Sequence, residues 1–537
     1  MQRIRTFSVL LIICALVLGI ISCSSGRKAT DSARYANSAP IAAESPAFRQ
    51  QSKPDGEFNT EEYGRINENE FLEAANHPLS TFSIDVDTAS YSNVRRFIEQ
   101  GQLPPADAVR IEELINYFKY NYPEPDGDVP FSISAELARC PWQPPHKLIH
   151  VGLQGKRVSL ANAPANNLVF LIDSSGSMNS PDKLPLLKSA FRLLTDQLRE
   201  QDRVAIVVYA GSAGLVLPST SGSDKKTILS AIDKLEAGGS TAGGAGIRLA
   251  YDVTRQSFVP SANNRVILAT DGDFNIGVSS DGELLRLIES ERESGVFLSV
   301  LGFGTGNIKD SKMELLADKG NGNYAYIDTI REARKVLVNG LGGTLNTIAK
   351  DVKVQVEFNP AKVQAYRLIG YENRLMRAEE FNDDKKDAGE LGAGHSVTAL
   401  YEIIPVGVAA KLPHVDQLRY QSHKVKPASF TNDELMTVKL RFKSPKDAAS
   451  EMVARSVMDE DTDAASASEN TRFAAAVAEF GMLLRDSKSK GQASFENCLA
   501  LARESRGDDS QGYRAEFISL VEKSAALKRR DQQARRE

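Results

Sequence analysis

Three oxygen-bearing side chains, Asp173, Ser175 and Ser177, stand at alternate positions directly behind the apolar residues 168–172 in LVFLIDSSGSMNS. A short apolar run of this kind reads as a buried strand. Such a strand seldom ends in a carboxylate and two hydroxyls unless they are used. The alternation lets both hydroxyls point the same way. Together with the carboxylate they form a hard oxygen set, suited to Mg²⁺, Mn²⁺ or Ca²⁺ rather than to zinc or copper. Two later stretches enlarge the set. GGSTAGG presents Thr241 in a glycine-rich loop ahead of a helix, and VILATDGDFN puts Asp271 just past a second apolar strand. Five oxygen ligands from three loops could serve one divalent ion and leave one coordination position open.

The elements that would position these groups alternate regularly. Strands are predicted at 168–172, 204–209, 265–269, 296–302 and 324–327, with helices at 184–198, 226–235, 246–254, 282–294, 312–318 and 330–341. The strands are nearly all apolar, as expected where helices cover both faces of a parallel sheet. Residues 210–220, AGSAGLVLPST, read as an antiparallel edge hairpin. The fold class is therefore α/β, a doubly wound, Rossmann-like parallel sheet. Ligands bind such sheets beyond the carboxyl ends of the strands, which is where Asp173 and Asp271 fall.

The rest of the chain sets bounds. Its 537 residues exceed one core, and a net charge of -5 with a pI near 5.9 leaves no basic footprint for nucleic acid. Of four cysteines, Cys140 and Cys498 show no metal-ligand spacing; they could form one disulfide in an oxidising compartment, and the reading preferred is two buried free thiols. Arg3 and Arg5 precede the apolar residues 7–21, and Ile20-Ile21-Ser22-Cys23 resembles the lipobox of bacterial lipoproteins. That resemblance implies a signal peptide over 1–23, lipidation of Cys23 and a lipid-anchored protein of the bacterial cell envelope, on the periplasmic face or the outer membrane. Residues 24–78 are polar and aperiodic and read as a disordered tether. Period-two β texture marks 79–160 and again 349–445, so these segments are expected to pair into one β-rich domain around an α/β unit at 161–348. Residues 446–537 read as a linker and C-terminal helices.

D-x-S-x-S, a loop threonine and T-D-G after a strand together resemble the metal-ion-dependent adhesion site (MIDAS) of von Willebrand factor type A domains. Asp173, Ser175, Ser177, Thr241 and Asp271 match it residue by residue. The flanks resemble the YfbK-like bacterial lipoproteins. STFSIDVDTASYSNVRRF is similar to their N-terminal A-domain-associated segment, and the stretch from YRLIGYENRLM to TALYEI is similar to their C-terminal domain of unknown function. The resemblance implies Mg²⁺ (or Mn²⁺ or Ca²⁺) at the five residues, a partner protein offering an Asp or Glu carboxylate, and a role in adhesion or as an assembly scaffold. Members of this group are labelled relatives of calcium-activated chloride channels. No further apolar run here is long enough to span a bilayer, which argues against a pore.

Other readings use the same residues. A helix N-cap accounts for one serine of DSSGSM but not for Thr241 and Asp271. A serine hydrolase needs a G-x-S-x-G elbow and a histidine, and none of the six histidines lies in the α/β unit. A metal-assisted hydrolase or phosphatase needs a general base beside the ion, and no candidate is evident. The chain is therefore not expected to be an enzyme. A structural scaffold with a vestigial site would not retain all five groups. Asp85 and Asp87 are expected to cap the helix around Val94, and the acidic run NDDKKDAGE, residues 382–390, to be a solvated hairpin tip.

Overall fold

The computed structural model describes residues 60–84, 87–127, 129–158, 163–239, 243–260, 262–272, 281–340, 346–410, 412, 429, 433–445, 449–459 and 467–536. The chain begins with β1 (Leu72–Glu73), β2 (Leu79–Ser83), α1 (Ala89–Glu99), α2 (Ile111–Asn116), β3 (Phe131–Arg139) and β4 (Lys147–Gly155). An α/β unit follows: β5 (Asn166–Asp173), α3 (Leu184–Gln197), β6 (Arg203–Tyr209), β7 (Ala213–Ser221), α4 (Lys225–Asp233), α5 (Gly243–Gln256), β8 (Asn263–Thr270), α6 (Asp281–Glu293), β9 (Val296–Phe303), α7 (Asp310–Lys319), β10 (Tyr324–Ile327) and α8 (Ile330–Arg334). The chain then returns to β structure with β11 (Thr347–Phe358), β12 (Val363–Ile369), β13 (Leu375–Met376), β14 (Gly389–Gly392), β15 (Ser396–Pro405), β16 (Glu434–Lys443) and β17 (Ser450–Met458). It closes with α9 (Glu469–Arg485), α10 (Phe495–Glu504) and α11 (Tyr513–Ala534).

The α/β unit is a six-stranded sheet in the order β10-β9-β8-β5-β6-β7, parallel except for β7, which runs antiparallel along the edge of β6. All eight residues of β5 are buried. Their side chains alternate between two cores, as the period of a strand dictates. Leu168, Phe170 and Ile172 pack with Leu187 and Phe191 of α3, while Val169 and Leu171 pack with Ile247, Ala250 and Tyr251 of α5. The first strand, β5, lies between β6 and β8, so the strand order reverses there and Asp173 ends the strand at the switch point.

Two further sheets, β1-β12-β15-β4-β3 and β13-β2-β11-β16-β17, share one apolar core that joins Ile149, Val151 and Tyr401 to Phe82, Val354 and Leu440. Strands from before and after the α/β unit are interleaved: Phe82 of β2 pairs with Val354 of β11, and β15 pairs with β4. Helices α1, α2, α9, α10 and α11 cover the outer face of the first sheet, burying Trp142, Phe473 and Phe517. Cys140 and Cys498 are both buried free thiols in this layer. No helix among the described residues is long and apolar enough to cross a membrane.

Several expectations are corrected. Residues 60–78, expected to belong to a disordered tether, form ordered structure. Glu61 pairs with Arg96, Asn69 donates to the carbonyls of Leu368 and Gly370, and β1 pairs with β12. Polar bonds hold this segment, so apolar periodicity could not reveal it; residues 24–59 lie outside the described residues. Asp87 does not cap α1: its Oδ1 accepts the backbone N–H of Tyr324 at 2.8 Å, fastening the start of the helical layer to β10. Asp85 lies outside the described residues. Residues 382–387 of the acidic run are exposed, as expected of a solvated segment, but β14 behind them pairs with β11 instead of closing a hairpin, and Asp384 pairs with Arg441 and Asp387 with Arg292 of α6. The strand β17 falls where a linker was expected, because Glu451 and Arg455 stand on the same face as the core-packing Val453 and Val457 and interrupt its apolar pattern. The last α/β helix is α8, continued as a π-helical turn over Lys335–Asn339.

Candidate metal centre at the sheet switch point

Four of the five predicted ligands, Asp173, Ser175, Ser177 and Asp271, come from loops at one sheet edge. Asp173 and Asp271 are fully buried, Ser175 is buried, and Ser177 is exposed at the mouth. Asp173 closes β5. Its Oδ1 accepts the Ser175 N–H at 2.9 Å, and its Oδ2 accepts the Tyr209 hydroxyl at 3.1 Å and the Thr270 hydroxyl at 3.3 Å. Those bonds hold the carboxylate on the axis of the switch point. The Ser175 and Ser177 hydroxyls lie 3.0 Å apart, on the same side of the turn, as the alternating spacing implies. Neither serine caps α3, whose N-cap residue is Lys183.

Asp271 follows β8 directly, in register beside β5. The Ser177 hydroxyl donates to it, which brings the two loops together. Gly272 then turns away with φ of 112°, and a Cβ there would lie 2.4 Å from the Asn307 carbonyl oxygen. That close approach requires glycine. The third loop reaches the site through backbone bonds: Gly238 N–H donates to the Ser174 carbonyl at 2.7 Å, and Gly176 N–H to the Gly239 carbonyl at 3.1 Å. Thr241 itself lies outside the described residues.

The electrostatics of the two carboxylates differ. Burial, reinforced by the charge on Asp271, holds Asp173 above the usual carboxylate range, although Ser175 and Tyr209 donate to it. Burial would lift Asp271 as well, but hydrogen bonds from Lys183 and Asn307 and the Lys183 charge bring it below that range. The Lys183 ammonium lies 2.9 Å from Asp271 Oδ2 and donates at 3.4 Å to Asn307 Oδ1. Sequence reasoning missed Lys183, Tyr209, Thr270 and Asn307. Only Thr270, as the first residue of T-D-G, carried a local signal.

As a donor set the site consists of oxygens: two carboxylates and two hydroxyls, with buried negative charge that a cation would compensate. This fits a hard divalent ion. Among the described residues no group of three or more His, Cys, Asp or Glu could hold a metal, so the hydroxyls are required to complete the set.

The sheet order and the motif at its switch point define a von Willebrand factor type A domain, a module that commonly mediates protein–protein interaction and often depends on a divalent metal. Residues 167–337 match the family described as von Willebrand factor type A domain, residues 57–150 that described as von Willebrand factor, and residues 343–527 that described as the C-terminal part of uncharacterized protein YfbK. The chain is 44% identical to uncharacterized protein YfbK of Escherichia coli strain K12 over 490 residues, which cover 89% of this chain and 84% of that protein. The chain belongs to the YfbK family. A shorter similarity, 27% over 171 residues, covers 31% of this chain and 18% of calcium-activated chloride channel regulator 1 of Bos taurus. Among solved structures, von Willebrand factor type A from Catenulispora acidiphila aligns over 84% of this chain and 91% of its own, with 14% identity and a TM-score of 0.39.

Proposed function

We propose that this chain is a lipid-anchored protein of the bacterial cell envelope that binds an acidic segment of a partner protein at Asp173, Ser175, Ser177, Thr241 and Asp271, with Mg²⁺, or Mn²⁺ or Ca²⁺, held there. The observation that carries this reading is the meeting of Asp173, the Ser175 and Ser177 hydroxyls and Asp271 at the switch point of a doubly wound sheet. A divalent ion bound there would supply an open coordination position that a partner's Asp or Glu carboxylate can fill. The chain's own residues do the rest. Tyr209 and Thr270 hold Asp173 in orientation, the backbone of the serine turn fixes both hydroxyls, and exposed Ser177 marks the side from which a partner approaches.

The site offers binding rather than catalysis in this reading. The neighbours of the two carboxylates are hydroxyls, an amide and an ammonium, and a hydrolase would need a general base among them. A pull-down from solubilised envelope should recover a partner in Mg²⁺ and lose it in EDTA or with Asp173→Ala. Recovery that is equal in all three arms rules the site out as the binding surface. Anchoring rests on Cys23, which lies outside the described residues. Cys23→Ser should leave the precursor unprocessed; a processed, membrane-bound Cys23→Ser protein removes the lipid anchor from the proposal.

A further inference from the structure

Lys183 is the feature of the site that the metal-binding motif does not explain. It is a lysine with only 8% of its surface exposed, and lysines are rarely this buried unless paired. Its ammonium is 2.9 Å from Asp271 Oδ2 and 3.4 Å from Asn307 Oδ1. The stem has a built seat. Gly304 has φ of 75°, and a Cβ there would lie 2.2 Å from Lys183 Cε and 2.4 Å from its Cγ. The chain therefore gives up a side chain at Gly304 to let the lysine lie across it. The backbone of Lys183 is also fixed, since its N–H donates to the Ser180 carbonyl in the turn that follows the two serines. A buried cation is thus held on one of the two carboxylates that the metal-binding reading assigns to the ion.

We propose that Lys183 is an internal counter-cation that balances Asp271 when the metal is absent and is displaced from that carboxylate when the metal enters, so that Lys183 sets the metal affinity. This rests on the metal-binding reading above. The physical argument is charge balance. Two buried carboxylates without a cation repel each other, and the ammonium relieves this in the metal-free state. A divalent ion on the same pair meets the ammonium as a like charge at short range, where burial weakens screening. The lysine therefore stabilises the empty site and weakens ion binding, keeping occupancy responsive to the free ion concentration.

The test is isothermal titration of the full chain, purified in detergent, with Mg²⁺ and with Mn²⁺, together with melting in EDTA. Four proteins are compared with wild type. Lys183→Met keeps the stem and removes the charge, Lys183→Arg keeps the charge, Gly304→Ala unseats the stem, and Asp173→Ala removes a ligand. Lys183→Met should bind at least tenfold more tightly than wild type and melt lower in EDTA. Lys183→Arg should stay near wild type. Gly304→Ala should tighten binding with the lysine retained, which keeps the test open should Lys183→Met fold poorly. Unchanged or weaker binding in both Lys183→Met and Gly304→Ala overturns the proposal and makes Lys183 a support for Asp271. If wild type binds no ion while Lys183→Met does, the displacement is supported in its strongest form. If neither wild type nor any variant binds an ion, the metal-binding reading falls, and the proposal with it. Tight binding by wild type that Asp173→Ala abolishes and Lys183→Met leaves unchanged removes the proposal alone.

Discussion

The guanidinium of Arg95 donates through Nε to Asp328 Oδ2 at 2.8 Å and through Nη2 to Asp328 Oδ1 at 2.5 Å, joining α1 to the turn that opens the last helix of the type A domain. The same guanidinium reaches Glu332 of α8 and Glu516 of α11, and the Tyr117 hydroxyl donates to Glu332 at 2.7 Å. Four segments distant in sequence thus share one buried cation. Arg95→Ala leaves Asp328 and Glu332 buried and facing each other, and should cost about 3–5 kcal/mol of stability. Urea unfolding measures it. Asp328→Asn with Glu332→Gln in the Arg95→Ala background should restore part of the loss, because the stranded charges are then gone. A loss below about 1 kcal/mol, the level of an exposed pair, would show that Arg95 is solvated.

Divalent metal should stabilise the fold through the switch-point site. The gain at a free ion concentration 100 times Kd is about 2.7 kcal/mol. Melting in Mg²⁺ and in EDTA reads it, and Asp173→Ala should lose the response. Metal-independent melting of the wild type would remove the site as a metal centre.

How much of this was legible beforehand depends on range. The turn from Asp173 to Ser177 is local, and its flanking strand is apolar throughout, so residue type and spacing sufficed to locate it at a carboxyl end. Asp271 was legible for the same reason after β8. The lysine on Asp271 was not, because Lys183 and Asp271 are 88 residues apart and meet only once β5 and β8 are neighbours. The mistaken cap at Asp87 has the same origin: a carboxylate ahead of a helix looks like a local device, and here its partner is Tyr324, 237 residues away. The exposed edge strand β17 was missed because alternation fails where little of either face is buried.

Stability should fall as pH rises through the range set by buried glutamates. Glu479 in α9 is fully buried, and burial raises its carboxyl to about 7 against the bonds donated by Asn497 and the Ser494 N–H. Burial likewise holds Glu112, Glu314 and Glu390 at about 7. With the folded value above the ordinary 4.5, the folded state binds more protons between the two, and stability is lost as pH rises from 4.5 to about 7. For Glu479 alone the loss is on the order of 3 kcal/mol. Glu479→Gln should therefore flatten the dependence of the unfolding midpoint on pH across that window by about one proton. An unaltered slope would mean that Glu479 stays charged, supported by Asn497.

The strap formed by residues 60–62 should influence the metal site. Thr60 N–H donates to the Gly306 carbonyl at 2.7 Å, Glu62 N–H to the Ile308 carbonyl at 2.9 Å, and Asp310 N–H to the Glu62 carbonyl at 3.1 Å. Glu61 Oε1 accepts the Gly306 N–H at 2.9 Å, and both its oxygens accept from the buried Arg96. The loop so fastened carries Asn307, whose Oδ1 holds the Lys183 ammonium and whose carbonyl oxygen lies against Gly272, next to Asp271. Loosening the strap should release both contacts at once. Glu61→Ala should cost about 1.5–3 kcal/mol, the value of hydrogen bonds to a charged group, and should also change the Kd for Mg²⁺ severalfold. Calorimetry and unfolding on the same sample separate the two effects. A stability loss with an unchanged Kd would make the strap a fastening of the fold that has no reach into the site.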